Sequence, residues 1–242
     1  GYGMLPKIEK GEDYSYLFLF DRMYKGQISG GFVFGLNPAN SVANANKVRK
    51  AFDNLDWLVT VDVHHSETTD NWHRPGLDPK SVKTEVFLLP SAHRLEKEGS
   101  VTNSGRWMLW HYEAVRPPGG ARTFGDMLVD LMNRVRNSYK AKGSVYPDPI
   151  LKLDWPDSYN AEAMARRING IFTQDAVVKG KKYKKGQQVP SFTALADDGS
   201  TLSLNWLYCG SFTEEDGNKA KRRELGQTDM QAAIGLFPNF SW

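Results

Sequence analysis

The spacing of apolar positions changes period twice between residues 32 and 62, and the changes predict a strand, a turn, a helix and a second strand. Phe32-Val33-Phe34 is a short apolar run that meets Gly35-Leu36-Asn37-Pro38, where glycine, asparagine and proline punctuate a turn. Ala45, Val48, Phe52 and Leu55 then recur at i, i+3, i+7 and i+10, one face of a helix, with Ser41 as its expected cap. Trp57-Leu58-Val59-Thr60-Val61 reads as a buried parallel strand that ends at Asp62. Two parallel strands joined by a crossover helix place both post-strand loops on one sheet edge. Residues 35–40 and 62–68 are therefore expected side by side, on the edge where such sheets bind ligands.

The pattern beyond this unit is less regular. Tyr14 to Met23 mixes aromatic and aliphatic residues without a clean period and is open between helix and strand. Thr84 to Pro90 predicts a third buried strand, whose following loop joins the same edge and contains Gly99 to Trp107. Thr123 with Asp126 resembles a capping box, and Phe124, Met127, Leu128, Leu131, Met132 and Val135 keep helical period toward Gly143. Pro147, Pro149 and Pro156 mark residues 143–159 as a connector, and Ala161 to Asn169 predicts a short helix ended by Gly170. Residues 192–196 and 202–207, around Asp197-Asp198-Gly199, read as a β-hairpin. The fold expected is α/β: a three-layer Rossmann-like domain with a mainly parallel sheet over residues 1–142. Residues 143–242 supply a connector, a short helix and an irregular, β-hairpin portion packing on the same domain.

At 242 residues the chain can bury a sizeable core, and its 31 Lys and Arg against 28 Asp and Glu argue against a nucleic-acid partner. The lysine-rich turn at 179–186 reads as a solvated loop, because Glu214-Glu215-Asp216 offset its field. No apolar run reaches the roughly 20 residues of a membrane span. Cys209 is the single cysteine, so no internal disulfide and no thiolate iron-sulfur or zinc site is encoded here. The first methionine is Met4, and the tail from Ile234 to Trp242 is apolar and aromatic; both lead us to expect a piece of a longer protein, with a tail that needs a packing surface.

The candidate chemistry is sparse. His64 and His65 follow Asp62, with His73 nearby, but adjacent side chains on an extended strand point to opposite faces, so no metal site is expected. His93 and His111 stand alone. There is no nucleophile elbow, P-loop or dinucleotide glycine fingerprint. Asp62 is either a turn cap or the acceptor for a nucleoside at the end of the second strand. The company it keeps favours the second reading: loop N–H groups after the first strand, hydroxyls at Ser66 and Thr68, and the cations Lys97 and Arg106 in the third loop.

Gly35-Leu36-Asn37-Pro38, Val61-Asp62 with Ser66-Glu67-Thr68, Leu89-Pro90, Glu96-Lys97-Glu98-Gly99 and Asn103-Ser104-Gly105-Arg106-Trp107, in that order and spacing, resemble the molybdopterin oxidoreductase family. The Asn-Ser-Gly-Arg-Trp segment, Trp206-Leu207-Tyr208 and the Pro-rich connector are most similar to the large catalytic subunit of respiratory formate dehydrogenases. The resemblance covers nearly the whole chain. It implies a Rossmann-like domain holding one guanine dinucleotide tail of a molybdenum or tungsten cofactor, in an enzyme that oxidises formate to carbon dioxide and passes electrons to an iron-sulfur subunit. It places Gly35, Leu36, Asn37 and Pro38 at the dinucleotide, Val61 and Asp62 at the guanine edge, Ser66 near the nucleoside, and Lys97 and Arg106 at polar or phosphate groups. An acidic position after the third loop falls on Phe124, with Asp126 as the nearest substitute. No catalytic residue and no metal ligand is assigned to this chain, which is expected to retain no cofactor stably and to be inactive alone. Its partners are the remainder of the catalytic subunit and the iron-sulfur subunit, and the resemblance implies a periplasmic enzyme of anaerobic respiration. Two alternatives stay open: the equivalent part of another molybdopterin oxidoreductase such as a nitrate reductase, or a stand-alone nucleotide-binding or interaction module.

Overall fold

A computed structural model describes residues 9–103, 105, 108–153, 155–221 and 229–234. They divide into two compact units. The first takes the described residues up to Glu96 and those from Val115 to Tyr159; the second takes Lys97 to Ala114 and the residues from Asn160 onward.

In the first unit α1 (Tyr16–Tyr24) starts at Ser15, whose hydroxyl accepts the Phe18 N–H at 3.3 Å, so the stretch left open by its pattern is a helix. The helix expected from Ser41 is split in two. α2 (Pro38–Ser41) is a single turn, Val42 is extended, and Asn44, left-handed at φ 58°, caps α3 (Ala45–Asp53) by accepting the Lys47 N–H at 3.2 Å. Ser41 instead donates to the Asn37 carbonyl at 2.9 Å. An asparagine tolerates the left-handed backbone that restarts the helix, which is why the cap falls three residues later than expected.

β1 (Gly30–Phe34), β2 (Trp57–Asp62) and β3 (Glu85–Pro90) form a parallel sheet with β2 central. Gly31, Leu58 and Val86 pair across it, as do Val33, Thr60 and Leu88, and alternation sends these residues to one face. There Leu58 joins Phe20, Met23, Val48, Ala51, Phe52 and Leu55 in the core under α1 and α3. Phe34 faces the other way and meets Phe124 edge-to-face, ring centroids 5.5 Å apart, at the start of α4 (Phe124–Lys142). The sheet thus lies between helical layers, as expected. The α4 side is only partly covered: Phe32, Phe87 and Leu89 remain 47%, 43% and 41% exposed. Gly30 is required, because a Cβ there would lie 1.9 Å from the Trp57 indole. Thr123 caps α4 as its spacing predicts, Gly143 ends it at φ 71°, and the connector contains one further turn, α5 (Asp148–Leu151).

The second unit is built from short pieces. β4 (Gly99–Thr102) pairs antiparallel with β5 (Met108–His111), and α6 (Ala161–Asn169) is capped by Asn160 and followed by Gly170. β6 (Ile171–Phe172) precedes the hairpin of β7 (Ala176–Val178) and β8 (Lys181–Tyr183), whose two-residue turn Lys179-Gly180 has both φ angles positive, the turn whose twist matches a tight hairpin. The hairpin expected over 192–207 does not form. Phe192–Ala194 is a 3-10 turn, and β9 (Thr201–Leu202) pairs with β6 instead. The Thr201 hydroxyl closes that loop by bonding both the N–H and the carbonyl of Ala196, so the turn residues bend the chain without their flanks pairing. β10 (Phe212–Thr213) and β11 (Gly217–Asn218) make a last small ladder, and α7 spans Asp229–Ala233. Residues 235–242 of the aromatic tail lie outside the described residues. Among the described residues no helix is long and apolar enough to cross a membrane.

Candidate functional site

The carboxyl edge of the parallel sheet gathers most of the expected residues. Gly35 leaves β1 at φ 59°, a left-handed conformation that suits glycine, and donates to the Val61 carbonyl at 2.9 Å. A Cβ there would also press on the Phe124 ring at 3.1 Å. Leu36 is exposed and Pro38 is buried at the start of α2. Asn37 ties this loop to the next: its Oδ1 accepts from the Thr68 N–H at 3.2 Å and the Thr68 hydroxyl at 2.9 Å, while its amide donates to Glu67 Oε2 at 2.5 Å. Thr68 Oγ1 in turn accepts the Ala39 N–H at 3.0 Å. The two post-strand loops are therefore neighbours, as the βαβ spacing predicts. The Asn37 amide holds the Glu67 carboxyl below the usual range, with the Arg49 guanidinium a smaller contribution.

Asp62 closes β2. Its carbonyl accepts the Ser91 N–H at 2.9 Å and its Oδ1 accepts the Val63 N–H at 2.7 Å, so the turn-capping role is real. Its other carboxylate oxygen faces no protein donor among the described residues. The side chain lines a cavity of about 190 Å³ with Thr60, His64, His65, Thr69 and the apolar wall Leu88-Leu89-Pro90. Val61 is buried and contributes its carbonyl rather than its side chain.

Beyond Asp62 the chain is no longer a strand, so the alternation expected to separate His64 from His65 does not apply, and both line this cavity. His65 Nδ1 lies 2.7 Å from Asp70 Oδ1, with His73 Nε2 3.7 Å from the same oxygen. His65 also lines a second, open cavity of about 700 Å³, together with Arg49, Ser66, Glu67, Asp70, His73 and Arg74. Ser66 Oγ accepts the Thr69 N–H at 3.4 Å, and Arg74 is engaged by both oxygens of Asp53, at 2.8 and 2.6 Å. Among the described residues no three His, Cys, Asp or Glu side chains converge on a point a metal ion could occupy.

Asp126 is in the first unit, but its carboxylate accepts the Thr123 hydroxyl at 2.6 Å and belongs to the α4 cap. Lys97 belongs to the second unit, where burial pulls its pKa down. Arg106 lies outside the described residues. Sequence reasoning missed Arg49, Asp70 and the bridging role of Asn37. Asp70 five residues after His65 is a spacing with no helical or strand logic, and only the turn that bonds the Asp70 N–H to the Ser66 carbonyl at 2.9 Å brings the pair together.

No family model matches the chain. Curated relatives do, along essentially its whole length. It is 62% identical over 241 residues to formate dehydrogenase 2 subunit alpha (cytochrome c-553) of Nitratidesulfovibrio vulgaris, covering 100% of this chain and 24% of the relative. It is 47% identical over 247 residues to formate dehydrogenase subunit alpha of Megalodesulfovibrio gigas, again 100% and 24%. With the formate dehydrogenase-O major subunit of Escherichia coli the identity is 37% over 246 residues, 97% of this chain and 24% of the relative. The chain thus spans about a quarter of the length of the curated relatives it matches.

Proposed function

We propose, for a chain that belongs to the molybdopterin oxidoreductase family and is homologous throughout to formate dehydrogenase alpha subunits, that its first unit seats the guanine end of the cofactor's dinucleotide in a subunit that oxidises formate to carbon dioxide. The observation that carries this reading is Asp62 in the wall of a cavity lined by the carboxyl ends of β2 and β3, with a carboxylate oxygen open to a ligand and the apolar Leu88, Leu89 and Pro90 in the same lining.

The donor set fits that group. Guanine presents N1–H and an exocyclic amino group side by side, and a carboxylate accepts both; adenine has no such donor pair. Leu88, Leu89 and Pro90 offer a surface for a planar base, and a cavity of about 190 Å³ admits one base rather than a whole dinucleotide. The cofactor when bound supplies the redox metal. The work of this chain is to accept the base edge, to exclude water along β3, and to hold the two loops in register through Asn37 and Thr68. In the same reading Gly35, Leu36 and Pro38 shape the first loop, and Lys97 and Arg106 are carried from the family resemblance as residues for polar groups of the cofactor. Electrons leave the full subunit through iron-sulfur partners.

Calorimetry of the 242-residue chain with GDP and ADP tests the base assignment. Preference for GDP, lost in Asp62→Asn, is the expected result. Equal affinity for the two nucleotides, or unchanged GDP affinity in the variant, removes Asp62 from the site.

A further inference from the structure

We propose that the outer edge of β3 docks an extended segment of the same subunit from outside this chain, paired with the main chain of Val86 and Leu88 and setting apolar side chains into the groove beside them. Three observations carry it.

The first is the direction of the backbone groups. Glu85 and Ser91 donate to the Asp56 and Asp62 carbonyls, both at 2.9 Å, so the odd-numbered residues along β3 bond inward to β2. In a parallel ladder the residues between them point the other way, which directs the N–H and carbonyl groups of Val86 and Leu88 to the open edge. The next outward positions show the same register: Arg122 donates to the Pro90 carbonyl at 3.3 Å, and its own carbonyl accepts the Ala92 N–H at 2.8 Å. Arg122 and Pro90, which has no N–H to offer, thus close the carboxyl end of the edge. Val86 and Leu88 have no outward partner among the described residues.

The second is the character of the strand. Strands that end a sheet in solvent are blunted by lysine, proline or a bulge, and Val86-Phe87-Leu88-Leu89 has none of these. It is apolar on both faces, the pattern of an interior parallel strand. Yet Phe87 and Leu89 are exposed on one face, and Leu88, at 40%, on the other.

The third is a groove along that edge. A cavity of about 270 Å³ is lined by Val86 and Leu88 together with Trp72, Pro79, Val82 and Thr84, so main-chain pairing would be joined by seats for alternate apolar side chains. The occupant is drawn from the same subunit because this chain accounts for only 24% of each curated relative described above.

Hydrogen exchange resolved to single residues by mass spectrometry, on the 242-residue chain and on the full-length subunit, tests the assignment. The Phe87 and Leu89 amides, bonded to β2, should be slow in both and serve as the internal reference. The Val86 and Leu88 amides should exchange about a hundredfold or more slowly in the full-length subunit than in the chain alone. Leu88→Lys, which sets a charge in the groove and leaves the inward bonds intact, should remove the protection at Val86 in the full-length subunit; protection retained in that variant overturns the docking. Equal exchange in the two proteins overturns it as well, whether both are fast, with the edge left in solvent, or both slow, with this chain covering its own edge. Protection that rises with the concentration of the chain alone assigns the edge to a second copy. Protection that appears only on adding the iron-sulfur subunit assigns it to that partner, and either result overturns the same-subunit occupant.

Discussion

The two units of this chain reach stability by different routes. The first has a parallel sheet with strands of five or six residues and a contiguous apolar core in which Phe20 and Phe52 meet edge-to-face at 5.8 Å. The second has strands of two to four residues and two small clusters, one around Trp110, Ala165 and Phe212, the other around Phe172, Tyr183 and Val189. Short ladders contribute few hydrogen bonds, and a single buried side chain takes over. Asn169 accepts the Gly210 and Phe212 N–H groups at 2.6 and 3.1 Å and donates to the Gly170 and Val189 carbonyls and to Gln188 Oε1. Where secondary structure is long, apolar area holds the fold; where it is short, a satisfied polar hub does.

That contrast breaks most visibly in the first core. Phe52→Ala, at a side chain 1% exposed, should cost about 3–5 kcal/mol by lost transfer energy and cavity formation, measured by urea unfolding. In the second unit Asn169→Leu preserves size but strands two amides and their carbonyl counterparts, and a loss of about 3 kcal/mol is expected. A neutral result would show that the irregular unit is held by its clusters after all.

Cys209 probes the second unit without mutation. Partial burial pushes its thiol up to about 11, so alkylation at pH 8 should be roughly a hundredfold slower in the native chain than in urea. A smaller step is expected at the site in the first unit: Asp62→Asn should weaken GDP by about tenfold, one charge-assisted hydrogen bond, with stability nearly unchanged. Smallest is the effect of the bridge between its loops. Glu67 has a folded pKa below its unfolded one, so its contribution to stability is present above the ordinary carboxylate range and is lost as pH falls through the folded value. Asn37→Ala should raise the Glu67 titration toward that ordinary range and remove this part of the acid dependence, read by carboxylate NMR.

Much of the first unit was legible because its periods are long enough to read. Gly30–Phe34, Trp57–Asp62 and Glu85–Pro90 fall within a few residues of their apolar runs, and the Thr123 cap with the following stripe predicts α4. The second unit was less so: residues 201–202 pair with 171–172 rather than across their own turn, and runs of two residues have no period. The same division runs through the site. That the loops after β1 and β2 share an edge, with Asp62 on it, follows from the order of the elements along the chain, because a right-handed crossover between parallel strands allows little else. Folding alone reveals that Asn37 is spent on Thr68 and Glu67, that His65 turns against Asp70, and that Asp126 stays in its cap. Strand and helix periods follow from backbone geometry repeated along the chain, whereas a side chain's partner in a loop is chosen among all polar groups the fold brings within about 3 Å, which no local pattern encodes.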